Sequence, residues 1–553
     1  MRKVHIAQFR ELIKTLNDAC QELRKLKDDD FLNLCTEMQD FVSGIYDYMK
    51  STLSTGERLL QLVQAFYEML YHVASKNVSV KRLRRLVYEI ETEMLSLSPD
   101  RIEIAFFCYK ASMSDSLESI YFAAKEDPAC DVYFIPIPYF DRNPDGSLGQ
   151  MHLEGTGYYS SRYELTDWKS YDVESRRPDV IFIMNPYDGQ NYVTSVHPDF
   201  YSSRLKDCTD MLVYIEYGLP YWLYRDPHEP ELEEEFKNKG NILPAHLHAH
   251  CIITYSKELA EAYQPLFAAH LEIMQHYGVA FRRDAKKIIA LGSPKFDKVV
   301  NVRREAYRLP ETWAGKIAGK KVILYNTSLS ELLKADSYFE KMRSIMDVFR
   351  ERNDVILWWR PHPLFSSTLH SMRPAMLQEY REILQDFMAF ENGIFDDTGE
   401  LHRAIAYSDG MISDESSLLL LYAATGKPFY IPSISMALPQ PIQNDDTDFH
   451  MPLEGRLANM RASKGANVGN WNLCIWWHNF LEEDIIRNIH FKDYPNRFID
   501  FILHREKYSE AEEYKELQLQ MIRDFVVNAD GTAGQKIYEF VRTKAMEAKN
   551  DSR

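Results

Sequence analysis

Patterns for disulfides and metal knuckles are missing from this chain. Its seven cysteines are odd in number, widely spaced and never arranged as CxxC, which excludes a disulfide framework and a zinc knuckle. Positive charge is scarce as well: 65 Lys and Arg stand against 82 Asp and Glu, a formal charge of −17. General nucleic-acid binding depends on cations that neutralise phosphates, so no nucleic-acid partner is expected. Long apolar runs are also absent. A stretch such as SLLLLYAA, Ser417 to Ala424, falls well short of the roughly 18 to 20 residues a spanning helix needs. The opening MRKVHIAQFRELIK carries charge but no apolar h-region, so no secretory signal is read there. These absences predict a cytoplasmic protein whose membrane contact, if any, is peripheral.

What is present is bulky core material, with 13% aromatic and 45% hydrophobic positions in 553 residues. A single core stops growing near roughly 250 to 300 residues, so two large domains and an appendage are expected. Residues 1–98 show apolar positions at three- and four-residue steps, among them Ile6, Phe9, Ile13 and Leu16, then Phe31, Leu34, Met38 and Val42. That period predicts a bundle of amphipathic helices, packed on the rest of the chain or on a second subunit.

At Pro99-Asp100 the pattern changes. Short runs rich in β-branched and aromatic residues now alternate with helical stretches: IEIAFFCY, DVYFIPI, DVIFIM, DMLVYIEYG, HCIITYS and KIIALGS. A second series follows with KKVILYNTS, NDVILWWRPHP, GIFDDT, DGMISDESS and KPFYIPS. Continuous apolar strands separated by helices predict parallel sheets buried on both faces. The expected domains are therefore 99–300 and 301–480, joined near 296–318, with terminal helices over 481–553. Ligands of such sheets sit outside the carboxyl ends of the strands, so the cleft between the domains is the default site.

Three segments could carry chemistry there. In SDGMISDESS, a strand ends at Ser413, an acidic turn with Asp414 follows, and Ser416 and Ser417 open a Leu-rich helix. These residues either cap the helix or offer hydroxyls to a phosphate at its positive end. In WWRPHP, Arg360 and His362 are two residues apart and would point the same way from an extended chain. They could neutralise a diphosphate and shuttle a proton, or be a salt-bridged arginine and a solvent-facing histidine. In LYNTS, Asn326, Thr327 and Ser328 form a polar loop that either meets a phosphate or is an ordinary turn. The alternate histidines of HLHAH, His246, His248 and His250, would share one strand face. No carboxylate or cysteine completes a metal set, so neither metal nor cofactor is expected.

Together, LGSPKFD, LYNTS, RPHP, DDTGELHRAIAYSD, ISDESS and GKPFYIP resemble the carboxyl-terminal half of the CDP-glycerol glycerophosphotransferase family, the teichoic acid polymerases and primases. The resemblance spans about 285–435; over 101–285 only the architecture matches. It implies a GT-B-like fold of two facing Rossmann-like domains, with an N-terminal helical bundle and C-terminal helices. It also implies a nucleotide-diphosphate donor, CDP-glycerol or another CDP-polyol, held by Asn326, Thr327, Ser328, Arg360, Asp414, Ser416 and Ser417, with His362 on the phosphate side. The acceptor would be a glycan or lipid-linked glycan of the cell envelope, reached from the inner face of the membrane. The family's acceptor-side histidine sits in a W-H-G-T-P-like turn, where this chain reads YIEYGLPYW. Tyr217 takes the histidine's place, and Glu216 beside it is the candidate base, its carboxyl expected to be raised by burial. A nucleotide-sugar glycosyltransferase, an epimerase, or a non-catalytic scaffold docked through the first helices are the alternative readings.

Overall fold

A computed structural model describes residues 2–52, 56–75, 79–95, 101–219, 242–276, 287–414, 416–432, 494–508 and 511–550. Four helices come first: α1 (Lys3–Glu22), α2 (Asp28–Thr52), α3 (Glu57–Ala74) and α4 (Val80–Leu95). Their apolar stripes, with Phe9, Ile13, Val42, Val63, Phe66 and Ile90 at the centre, meet in a core of their own. The bundle is nevertheless tied to the body. Arg2 donates from Nη1 to Glu103 Oε2 at 2.7 Å and from Nη2 to the carbonyls of Arg176 and Arg177 at 2.8 Å. Glu103 also accepts from Arg176 and from Tyr171 Oη, so this buried carboxylate is fully compensated.

The apolar runs form two parallel sheets at the expected positions. The first has six strands: β1 (Ile102–Cys108), β2 (Cys130–Pro136), β5 (Val180–Ile183), β7 (Met211–Ile215), β8 (Cys251–Thr254) and β9 (Ile288–Ala290), in the order β2-β1-β5-β7-β8-β9. The second has five: β10 (Lys321–Thr327), β11 (Val355–Pro361), β12 (Gly393–Phe395), β13 (Gly410–Ser413) and β14 (Phe429–Tyr430), in the order β12-β11-β10-β13-β14. Every residue of β1 and β11 is buried, as helices on both faces require. A small antiparallel sheet of β3 (Tyr139–Arg142), β4 (Leu148–His152) and β6 (Thr194–Val196) was not expected. Its strands are short and β4 is largely exposed, so their apolar pattern is weak.

The two sheets belong to facing domains in a GT-B-like arrangement. The final helix, Ala533–Asn550, returns to the first domain, where Ile537, Tyr538 and Val541 join its core. Its start is fixed by Asp297, whose carboxylate accepts from Ala533 N at 2.9 Å and Gly534 N at 2.7 Å, a favourable charge at a helix N-terminus. Gly534 allows the close approach, since a Cβ there would collide with Ser119. The end of the second domain is covered by the helix Tyr494–Leu503, with Phe498, Ile499 and Ile502 in the core. The boundary expected between 480 and 481 lies outside the described residues. Among the described residues, no helix is long and apolar enough to cross a membrane.

Candidate functional site

The second sheet reverses its strand order between β10 and β13, the crevice where an open α/β sheet takes a ligand. Asn326, near the end of β10, donates from Nδ2 to Ser413 Oγ at 2.9 Å and to Ser416 Oγ at 3.0 Å. Ser416 is the acceptor in that bond, so its own proton is left to donate. Ser417 is exposed and precedes the helix Leu418–Ala423 without a side-chain cap. Asn326 thus holds Ser416 at the crevice, and Ser417 does not cap the helix. Glu415, between them and Asp414, lies outside the described residues.

The neighbouring polar residues, also expected at the donor, are engaged by other parts of the fold. Thr327 is fully buried and its Oγ1 accepts from Trp359 Nε1 at 3.2 Å. Ser328 caps the helix Leu329–Lys334 by accepting from Glu331 N. Asp414 has no exposure, and accepts from Ser328 N at 2.8 Å, Tyr338 Oη at 2.6 Å and Lys341 Nζ at 2.6 Å. A carboxylate this deep needs a cation, and the helix Tyr338–Arg350 supplies it. Arg360 is engaged in the same way. It is 4% exposed, its Nη1 lies 3.1 Å from Asp396 Oδ2, and its Nη2 donates to Thr398 O at 2.6 Å. Burial lowers the pKa of this guanidinium, and its contacts tie the end of β11 to the Asp396–Thr398 turn.

His362, just beyond β11, is different. Its Nδ1 accepts from Leu364 N at 3.1 Å, so the neutral ring carries its proton on Nε2. Burial, with Lys110, Arg360 and Lys295 nearby, pushes its pKa down to about 4. At neutral pH it is therefore an uncharged ring with an N–H to donate rather than an acid. Lys110 follows β1 and Lys295 begins the helix Pro294–Val300, so both cations come from the first domain.

On that first domain, the expected base is fully engaged. Glu216 follows β7 and is buried. Its Oε1 accepts from Tyr214 Oη at 3.0 Å and Gly218 N at 3.1 Å, and its Oε2 accepts from Tyr263 Oη at 2.8 Å, with His246 Nε2 at 3.3 Å. Burial pushes the carboxyl up, but His246, Tyr263 and Tyr214 outweigh it and the pKa is lowered. The expectation of a raised, basic carboxylate is overturned because these donors replace the lost water. Tyr217 carries Lys295 Nζ over its ring at 4.6 Å, and the same ammonium donates to its carbonyl at 3.1 Å. Burial and Tyr187 raise the phenol's pKa, so it stays neutral. Residues 220–222 of the YIEYGLPYW turn lie outside the described residues.

The HLHAH histidines do not share a strand face. His246 and His248 belong to the short helix Pro244–His248, and His250 precedes β8. His246 bonds Glu216, His248 Nδ1 lies 2.9 Å from Ser202 Oγ, and His250 Nδ1 accepts from Leu212 N at 2.8 Å. Among the described residues no group of acidic, His and Cys side chains is placed to hold a metal ion.

Sequence reasoning missed the residues that line the space between the domains. A cavity of about 480 Å³ is bounded by Lys110, Asp115, Tyr158 and Lys298 from the first domain and by Pro363 and His402 from the second. Lys110 directly follows a legible apolar strand, a position that could have flagged it. Nothing local flags Asp115, and His402 lies within the quoted stretch DDTGELHRAIAYSD without being singled out there.

Comparison with known proteins bears on 252–435, which match the family described as CDP-Glycerol:Poly(glycerophosphate) glycerophosphotransferase. That stretch runs from the end of the first sheet through the whole second sheet. The fold and this partial match support a GT-B-type transferase using a nucleotide-activated donor. No curated protein matches. Among solved structures, the wall teichoic acid polymerase TagF is 14% identical, with 90% of this chain and 100% of that chain covered and a TM-score of 0.40. A proposed UDP-N-acetylglucosamine 2-epimerase from Listeria monocytogenes is 13% identical over 81% of this chain and 97% of that chain, with a TM-score of 0.43. The UDP-GlcNAc 2-epimerase of Methanocaldococcus jannaschii, in complex with UDP-GlcNAc and UDP, is 9% identical over 60% and 83%, with a TM-score of 0.37.

Proposed function

We propose that this protein uses CDP-glycerol or a related CDP-polyol to transfer a polyol-phosphate unit to a hydroxyl of a cell-envelope glycan, free or lipid-linked. The observation that carries this reading is the family match over 252–435, which contains the switch-point cluster of Asn326, Ser413 and Ser416. The donor diphosphate lies at that crevice, with the Ser416 and Ser417 hydroxyls as donors. His362 Nε2–H, from the same domain, and the ammonium groups of Lys110 and Lys295, from the first domain, complete the set of donors. Preorganised donors and cations at the position where charge builds on departing CMP are the largest lever available without a metal.

A binding-only reading is favoured by one observation: Glu216 is saturated and a tyrosine stands where the family has its acceptor-side histidine. Thermal-shift titration with CDP-glycerol, CDP-ribitol, UDP-sugars and GDP-sugars, followed by product analysis, separates the readings. Stabilisation by a CDP-polyol with release of CMP supports the transferase. Stabilisation without turnover supports the binding protein, and stabilisation by UDP- or GDP-sugars alone supports a glycosyltransferase or epimerase.

A further inference from the structure

Asp115 and His402 meet across the domain interface, 287 residues apart in sequence. Asp115 lies in the short helical turn Ala111–Ser116 after β1, and His402 in the helix Leu401–Tyr407 of the second domain. His402 Nε2 is 3.1 Å from Asp115 Oδ2, with the two residues 2% and 6% exposed. The remaining polar atoms of the pair, His402 Nδ1 and Asp115 Oδ1, are buried without a hydrogen-bond partner. Buried polar atoms are rarely left this way, and a pair of them on the wall of one cavity indicates a polar group still to be supplied. That cavity also reaches Pro363, beside His362, and carries hydroxyls on Ser114, Tyr158 and Ser160.

Resting on the transferase reading, we propose that His402 is the acceptor-side base, positioned by Asp115, and that the interdomain cavity receives the hydroxyl-rich acceptor. When Nε2–H donates to Asp115, Nδ1 is left as the lone-pair nitrogen, which is the logic by which a carboxylate orients a catalytic imidazole. The acceptor oxygen attacks the polyol-bearing phosphorus. A new O–P bond forms, the P–O bond to CMP breaks with its electron pair on CMP, and the acceptor proton passes to Nδ1. The imidazolium so formed faces a carboxylate already charged. Burial opposes that charge, but Lys295 and His402 outweigh it and hold the Asp115 carboxyl well below the usual range. The other charged groups around the pair are Lys298 with Glu118 at 2.9 Å, and Glu400 and Arg403 beside His402. Because the two halves of the dyad come from different domains, the base is complete only in the closed molecule. This supplies the function that the saturated Glu216 and neutral Tyr217 leave open.

The test uses the full chain, with glycerol and chitobiose as acceptors and CMP release from CDP-glycerol or CDP-ribitol as the readout. His402→Asn is expected to lower turnover by about 10² to 10⁴, the usual contribution of a general base, with CDP-glycerol affinity within about twofold of wild type. The acid limb of the wild-type pH–rate profile should be absent in this variant. Asp115→Asn, nearly isosteric, should lower turnover in the same direction and keep donor affinity. Either variant turning over normally overturns the proposal. So does a His402→Asn variant that loses donor affinity and thermal stability but keeps the acid limb, which is the behaviour of a mere domain latch. If wild type releases no CMP from any donor, the transferase reading itself fails. Histidine NMR then decides the cavity alone: the Cε1–H signal absent in His402→Asn must move on adding glycerol or chitobiose, and an unmoved signal overturns it.

Discussion

Replacing Asp414 by Asn tests whether the acidic turn of ISDESS binds donor or holds the fold. The carboxylate has no exposure and three donors within 2.8 Å, one of them the buried ammonium of Lys341. An amide keeps the shape and can still accept from Ser328 N, but it strands the Lys341 charge. Breaking one side of a buried pair costs about 3 to 5 kcal/mol. Glu331 Oε2, 3.9 Å from Lys341 Nζ, offers partial compensation and places the expected loss near the lower end, about 3 kcal/mol. For a domain of this size, that lowers the melting temperature by roughly 6 to 12 °C. Calorimetry with and without CDP-glycerol reads both quantities. The expected result is a destabilised protein whose folded fraction binds donor normally, and Lys341→Met combined with Asp414→Asn should recover part of the loss. An Asp414→Asn variant with wild-type stability and no donor binding would refute the reasoning and return Asp414 to the crevice.

For His362, NMR should show a pKa near 4 in the free protein that rises when CDP-glycerol brings its negative charge, because an anion favours the imidazolium; an unchanged value would place the diphosphate elsewhere. Glu216 has a lowered pKa in the folded state, so it contributes stability above its unfolded pKa that is lost as pH falls through the folded one. Glu216→Gln should therefore flatten the stability curve on the acid side, measured by urea unfolding from pH 3 to 6, and the reading fails if the curve keeps its shape. Arg2→Ala leaves Glu103 with Arg176 and Tyr171, so the expected loss is about 1 to 2 kcal/mol, with the bundle separating from the body in small-angle scattering. A variant with unchanged dimensions would assign the anchoring to other contacts.

The sheets were legible because both faces are covered. IEIAFFC and VILWWRP are apolar runs interrupted only by Glu103 and Arg360, and each became a fully buried strand. β4, with LGQMH largely exposed, left no such trace. At the site, sequence located the strand ends but not the allegiances of their side chains. Asp414 reaches Lys341 73 residues away, Arg360 reaches Asp396 36 positions on, and Glu216 reaches Tyr263. Whether a polar residue at a strand end faces the crevice or the interior is decided by which distant partner can neutralise it. Spacing within one segment carries none of that information, and for Asp115 and His402 it carries even less.

The return of the last helix to the first domain has a mechanical consequence. Among the described residues the chain passes between the domains twice, and the second passage lies against the first domain beside the start of the first: Asn528 Nδ2 donates to Leu291 O at 3.0 Å, and Val527 N to Tyr255 O at 2.9 Å. A joint with two adjacent strands resists twisting and sliding far more than a single tether would. Opening is thereby reduced to a swing about one edge, like a book about its spine. The facing pages carry Asp115 on one side and His402 on the other, so a single angle sets whether they touch.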